Sequence, residues 1–107
     1  MGARETAVQT KILDWLKAHG FWAIKVIVSS HAGTMDIIAC SPKGRFCGVE
    51  VKYGSGAPSP LQKHHIEEVK KRNGIAFVAW DLQTVIFHLQ GEIVELPKDD
   101  KPGEFLL

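Results

Sequence analysis

Val8, Ile12, Trp15 and Leu16 recur every three to four residues across residues 5–19, and Gly20 supplies the usual stop. This pattern predicts an amphipathic first helix. Residues 21–28 are rich in aromatic and β-branched side chains and predict a strand, ending in the polar loop Ser29-Ser30-His31-Ala32-Gly33-Thr34. Residues 35–40 and 45–52 predict two further strands, joined as a hairpin through the turn residues Ser41-Pro42-Lys43-Gly44.

A Gly/Ser/Pro-rich connector over 54–58 leads into Ser59-Pro60-Leu61-Gln62. There Ser59 suits an N-cap, Pro60 the first helical position and Gln62 the returning arm of a capping box. The helix so opened runs to about residue 72 and closes at Asn73-Gly74. Residues 75–80 form an almost unbroken apolar run, which predicts a strand buried on both faces. Residues 85–89 and 92–96 read as a last hairpin around Gln90-Gly91, and 97–107 as a charged, loosely held tail. The order is an α/β fold, αβββαβ, with a mixed sheet flanked by helices and a C-terminal hairpin. One domain over 1–107 is expected, its core spanning about 5–96.

Composition narrows the partners. The chain has 107 residues, 45% hydrophobic and 23% charged, which is ordinary for a globular domain and rules against wholesale disorder. With a net charge of only +1, any attraction for nucleic acid must be local and helped by metal ions. The N-terminus lacks the apolar core of a signal peptide and no run is long enough to span a bilayer. The expectation is a soluble intracellular protein with no membrane association, in the cytoplasm of a bacterial or phage-infected cell. Two cysteines without a paired Cys/His spacing speak against structural zinc, and face parity sets Cys40 and Cys47 on opposite sides of the hairpin, against a disulfide.

The candidate chemistry lies in Val49-Glu50-Val51-Lys52 and in Asp36. An acid two residues before a lysine is common, and this chain repeats it at Glu68 and Lys70 and at Asp99 and Lys101. Only Glu50 and Lys52 fall on a predicted strand, where a period of two puts both on one face. In an antiparallel hairpin a register pairing Asp36 near Glu50 brings two carboxylates together, and their repulsion is relieved by a cation. Oxygen ligands with no Cys or His beside them favour Mg²⁺ or Mn²⁺ over zinc. The plain alternative is an exposed, ion-paired strand face of little energetic worth.

Other candidates have structural explanations too. Glu5, in the first helical turn, could reach the same edge of the sheet or simply offset the helix dipole. Gln62 has its capping role, against a hydrogen bond to attacking water or phosphate. His65 reads as a half-buried packing residue, His31 and His64 as solvated. Lys63, Lys70, Lys71 and Arg72 give the second helix a basic character that Glu67 and Glu68 interrupt. Trp15, Trp22 and Trp80 fall on apolar faces and read as core.

Taken in order, Glu5, Gly33-Thr34-Met35-Asp36-Ile37-Ile38-Ala39, Val49-Glu50-Val51-Lys52 and Ser59-Pro60-Leu61-Gln62 resemble the PD-(D/E)xK nuclease superfamily, and within it the small stand-alone type of the virus-type replication-repair nuclease (VRR-NUC) family. The resemblance covers roughly residues 5–80. It departs at Met35, where the family commonly has Pro, a backbone preference that leaves the chemistry intact. What it implies is a restriction-endonuclease-like fold and a metal-dependent endodeoxyribonuclease acting on branched or flapped DNA. Asp36 and Glu50 would be metal ligands with the backbone carbonyl of Val51, Lys52 would polarise the attacking water, Glu5 would be the helix-borne acid and Gln62 the helix-borne polar residue. Archaeal-type Holliday junction resolvases share the Glu, Asp and Glu-x-Lys order and are the nearest alternative. A non-catalytic DNA-binding module on the same sheet is the rival from another class. Cutting both strands of a junction from so small a chain calls for a C2 homodimer, with the last hairpin and tail as candidate surfaces.

Overall fold

In a computed structural model of the chain, residues 2–27 and 32–96 are described. Helix α1 (Ala3–Ala18) precedes strands β1 (Trp22–Lys25), β2 (Ile37–Cys40) and β3 (Phe46–Val51). Helix α2 (Pro60–Lys71), strand β4 (Ile75–Ala79), helix α3 (Leu82–Leu89) and a 3₁₀ turn (Gln90–Glu92) complete them. The strands form one four-stranded sheet in the order β1-β2-β3-β4, antiparallel except for the parallel β3–β4 pair. That pair needs a crossover, and α2 supplies it.

Alternation along the strands divides the molecule into two layers. Ala23, Ile37, Ala39, Cys47, Val49, Val51 and Ala79 face α1 and α3, where they bury Ile12, Leu16, Val85 and Leu89. Each of those four helical side chains is fully removed from water and stabilises the fold by about 1.5–3 kcal/mol. On the opposite face α2 lays Ile66 and Val69 against Ala76 and Val78, beside Met35. Gly48 leaves room for that side chain, since a Cβ would lie 2.4 Å from the Met35 sulfur and displace the end of the methionine.

The predicted C-terminal hairpin is wrong. Its first arm is α3, and Gln90 and Gly91 continue into the 3₁₀ turn, with no strand over 93–96. Leu82, Val85, Ile86 and Leu89 have the spacing of one helical face, and Asp81 caps them by accepting from the Thr84 N–H at 2.8 Å and the Thr84 hydroxyl at 2.7 Å. The 3₁₀ turn then buries Glu92, whose carboxylate accepts from the Ser41 hydroxyl at 2.8 Å and from Arg45 at 3.3 Å. The end of the first predicted strand, the loop residues 29–31 and the tail 97–107 lie outside the described residues. Among the helices described, none is long and apolar enough to cross a membrane. Both cysteines are free, Cys40 exposed and Cys47 buried, with burial raising the Cys47 thiol to about 12.

Candidate active site

The β2–β3 hairpin sets the register on which the site depends. Ile37 pairs with Val49, so Asp36, one residue before β2, falls level with Glu50. Its backbone carbonyl accepts from the Val26 N–H at 2.8 Å, and its side-chain Oδ2 accepts from the Val51 N–H at 2.8 Å. Both ends of the residue are thereby fixed to neighbouring strands.

Glu50 is 2% exposed, an unusual setting for a carboxylate. Its Oε2 accepts from the Gln62 side-chain amide at 2.8 Å and lies 3.2 Å from the Lys52 ammonium. Oε1 is buried without a hydrogen-bond partner. Burial and the adjacent Asp36 charge raise the Glu50 pKa to about 7, with Lys52 pulling the other way. A buried, half-satisfied carboxylate beside a second carboxylate is a place where positive charge is missing.

Gln62 reaches Glu50 because the capping box forms as the sequence predicts. Ser59 Oγ accepts from the Gln62 N–H at 3.1 Å, and Gln62 Oε1 accepts from the Ser59 N–H at 2.8 Å. One end of the Gln62 amide thus closes the helix while the other holds Glu50.

Glu5 is placed differently from Asp36 and Glu50. It is half-buried and lines a cleft of about 440 Å³ with Gly2, Ala3, Arg4, Lys52, Tyr53 and Gly56. Lys52 therefore touches both settings. Among the described residues no three acidic, histidine or cysteine side chains come together as a metal cage. The donor set at Asp36 and Glu50 nevertheless fits a hard dication, which takes one or two carboxylates and completes its shell with carbonyl, water and phosphate oxygen. The unpartnered Glu50 Oε1 is the observation that makes it fit.

Three features escaped the sequence reading. Arg4 donates to the Tyr53 hydroxyl and lies over its ring, 5.7 Å from the centroid, closing one wall of the cleft. Forty-nine positions separate them, so no local pattern could have shown it. Trp80, expected in the core, is 41% exposed and donates its indole N–H to the Gly56 carbonyl at 3.0 Å, which anchors the connector after β3. Gln9 is buried with both amide atoms unpartnered, and its position four residues after Glu5 on the apolar stripe was a visible signal.

Helix order, mixed sheet and an acid–acid–lysine cluster at the end of the central hairpin define a small α/β domain with a built polar site. Two solved structures share that fold. One, described as a VRR-NUC domain, superposes with a TM-score of 0.71 at 26% identity over 87% of this chain and 100% of its own. Another, described as a VRR-NUC domain protein, gives 0.68 at 22% identity over 94% and 98%. Fold and motif order agree with the resemblance to the VRR-NUC family read from the sequence. No family model matches the sequence, and no curated protein does.

Proposed function

We propose that this chain is a Mg²⁺- or Mn²⁺-dependent, structure-selective endodeoxyribonuclease that hydrolyses phosphodiester bonds in branched DNA, at four-way junctions or flaps. Nuclease is the class of activity the VRR-NUC fold supports. The observation that carries the reading here is the gathering of Asp36, Lys52 and Gln62 at the Glu50 carboxylate, one oxygen of which, Oε1, is buried without a hydrogen-bond partner.

A bound dication would supply stabilisation of the charge developing on the scissile phosphate and acidify the attacking water. Asp36 and Glu50 would hold it, joined by the Val51 carbonyl. Asp36 keeps its orientation through the Val51 N–H, and Glu50 keeps its own through Gln62. Lys52, half-buried against Glu50, orients and polarises water on the cleft side of the pair. Glu5 acts from the lining of the same cleft. Since one copy offers one such site, incision of two strands calls for two copies related by a twofold axis.

The test is cleavage of junction, flap, splayed and linear duplex DNA with Mg²⁺, Mn²⁺ or EDTA, beside Asp36→Ala and Lys52→Ala. Cleavage should require a dication and fall on the order of 10²- to 10³-fold in each variant. An inactive native protein, or variants that cut as well as it does, would remove the nuclease reading.

A further inference from the structure

The cleft beside Lys52 has a wall that the chemistry at Asp36 and Glu50 does not use. After β3 the chain turns at once, with the Gly56 N–H donating to the Tyr53 carbonyl at 3.2 Å and Gly54 taking a φ of 64°. Gly56 lies against the Lys52 stem, where a Cβ would come 3.7 Å from Cδ. Two long-range bonds pin this turn. Trp80 donates its indole N–H to the Gly56 carbonyl at 3.0 Å, and Arg4 donates to the Tyr53 hydroxyl while its guanidinium stands 5.7 Å from the ring centre. Tyr53 is 46% exposed and belongs to neither apolar cluster. An aromatic ring is thus held in one orientation at the surface, next to the lysine of the site, with no packing role to account for it.

We infer that Tyr53 and Arg4 form a subsite for one unpaired nucleotide of the DNA, its base stacked on the Tyr53 ring and its phosphate taken by the Arg4 guanidinium, beside the phosphodiester held at Lys52. The inference rests on the nuclease reading for the polymer it names, and adds what selects a single-stranded segment next to the bond that is cut.

Three observations choose this occupant. The cleft holds about 440 Å³, the scale of a small-molecule pocket, which admits a nucleotide and not a duplex. An aromatic face offers stacking, and a base presents its own face only when it is unpaired, since a duplex shows phosphates and base edges. Charge supplies the third. Lys52 is paired with Glu50, Arg45 with Glu92, and Lys70, Lys71 and Arg72 with Glu67 and Glu68, whereas Arg4 has no acidic partner among the described residues. One of its five N–H donors goes to Tyr53, and the others suit a phosphate. Because the ring and the guanidinium already fix each other, little ordering is left to be done when the nucleotide arrives. Stacking of this kind tolerates any base, so arms of dA, dC or dT should bind alike.

The test is binding, read by fluorescence anisotropy at low salt in EDTA so that nothing is cut. The probe is a labelled duplex carrying a single-stranded arm of about ten nucleotides, with the blunt duplex as control. Tyr53→Ala should weaken binding of the armed DNA about 10-fold and leave the blunt duplex unchanged, while Tyr53→Phe, which keeps the ring, should stay within about threefold of the native chain. Arg4→Gln should lower the salt dependence by about one phosphate contact. An abasic site moved along the arm should cost the native chain about 10-fold at one position and cost Tyr53→Ala nothing further there. Should Tyr53→Ala fail to fold, Tyr53→Leu, which fills the place without a ring, takes its part. No binding of the armed DNA, a flat abasic scan on the native chain, an abasic loss as large in the variant as in the native chain, or equal weakening of armed and blunt DNA would overturn the inference. Hydrolysis enters none of these readouts. A chain that stacks the arm and never cuts loses the nuclease reading alone, and one that cuts with a flat abasic scan loses this inference alone.

Discussion

Glu50 spends both of its contacts on one oxygen. Gln62 and Lys52 meet Oε2, Oε1 has no hydrogen-bond partner, and the Asp36 carboxyl stands alongside. With the folded pKa raised to about 7, protonated Glu50 favours the folded state fully below the ordinary carboxylate range. That contribution is lost as pH rises through about 7. In EDTA the native chain should therefore lose stability relative to Glu50→Gln between mildly acidic and neutral pH, as read by urea melts. If Glu50 holds the proposed dication, its affinity, measured by calorimetry, should fall as pH drops below about 7, because proton and metal would compete for the same carboxylate. The Asp36, Glu50 and Lys52 grouping was legible in the sequence because strand parity puts Glu50 and Lys52 on one face and a hairpin register can set Asp36 level with Glu50. The unpaired oxygen was not, because it depends on how deeply α2 buries the site.

Helix α2 begins where Ser59, Pro60 and Gln62 say it should, and α1 and the first three strands also lie where the periodicity places them. Local chemistry determined these elements. The end of the chain was misread because Val85-Ile86-Phe87 is β-branched and aromatic, and a short apolar run does not by itself distinguish strand from helix. Asp81 was the overlooked signal. Asp81→Ala should cost about 1 kcal/mol in denaturant melts through loss of the α3 cap, with little effect on activity. Ser59→Ala should cost about the same, while Gln62 keeps its grip on Glu50. Gln62→Glu retains an acceptor for the Ser59 N–H but turns a repelling carboxylate towards Glu50. Its destabilisation should be larger at about pH 8 than at about pH 5.

At the scale of the molecule, the hairpin supplies the acids, the crossover helix supplies Gln62, and the start of α1 lines the adjoining cleft with Glu5. The family pattern could be read from a single chain because each of those residues is marked by its own local context. The assembly they form comes from long-range pairing, which is why the Arg4–Tyr53 wall emerged only with the fold. A dication that enters between Asp36 and Glu50 should raise the melting temperature of the whole domain, and Asp36→Ala should abolish the rise. Gln62 gives that binding event a longer reach. Because one amide group both seals the first turn of α2 and grips Glu50, ion occupancy and fraying of that turn would be coupled equilibria. Deuterium uptake at the amides of Gln62 and Lys63 should slow when Mn²⁺ or Mg²⁺ is added.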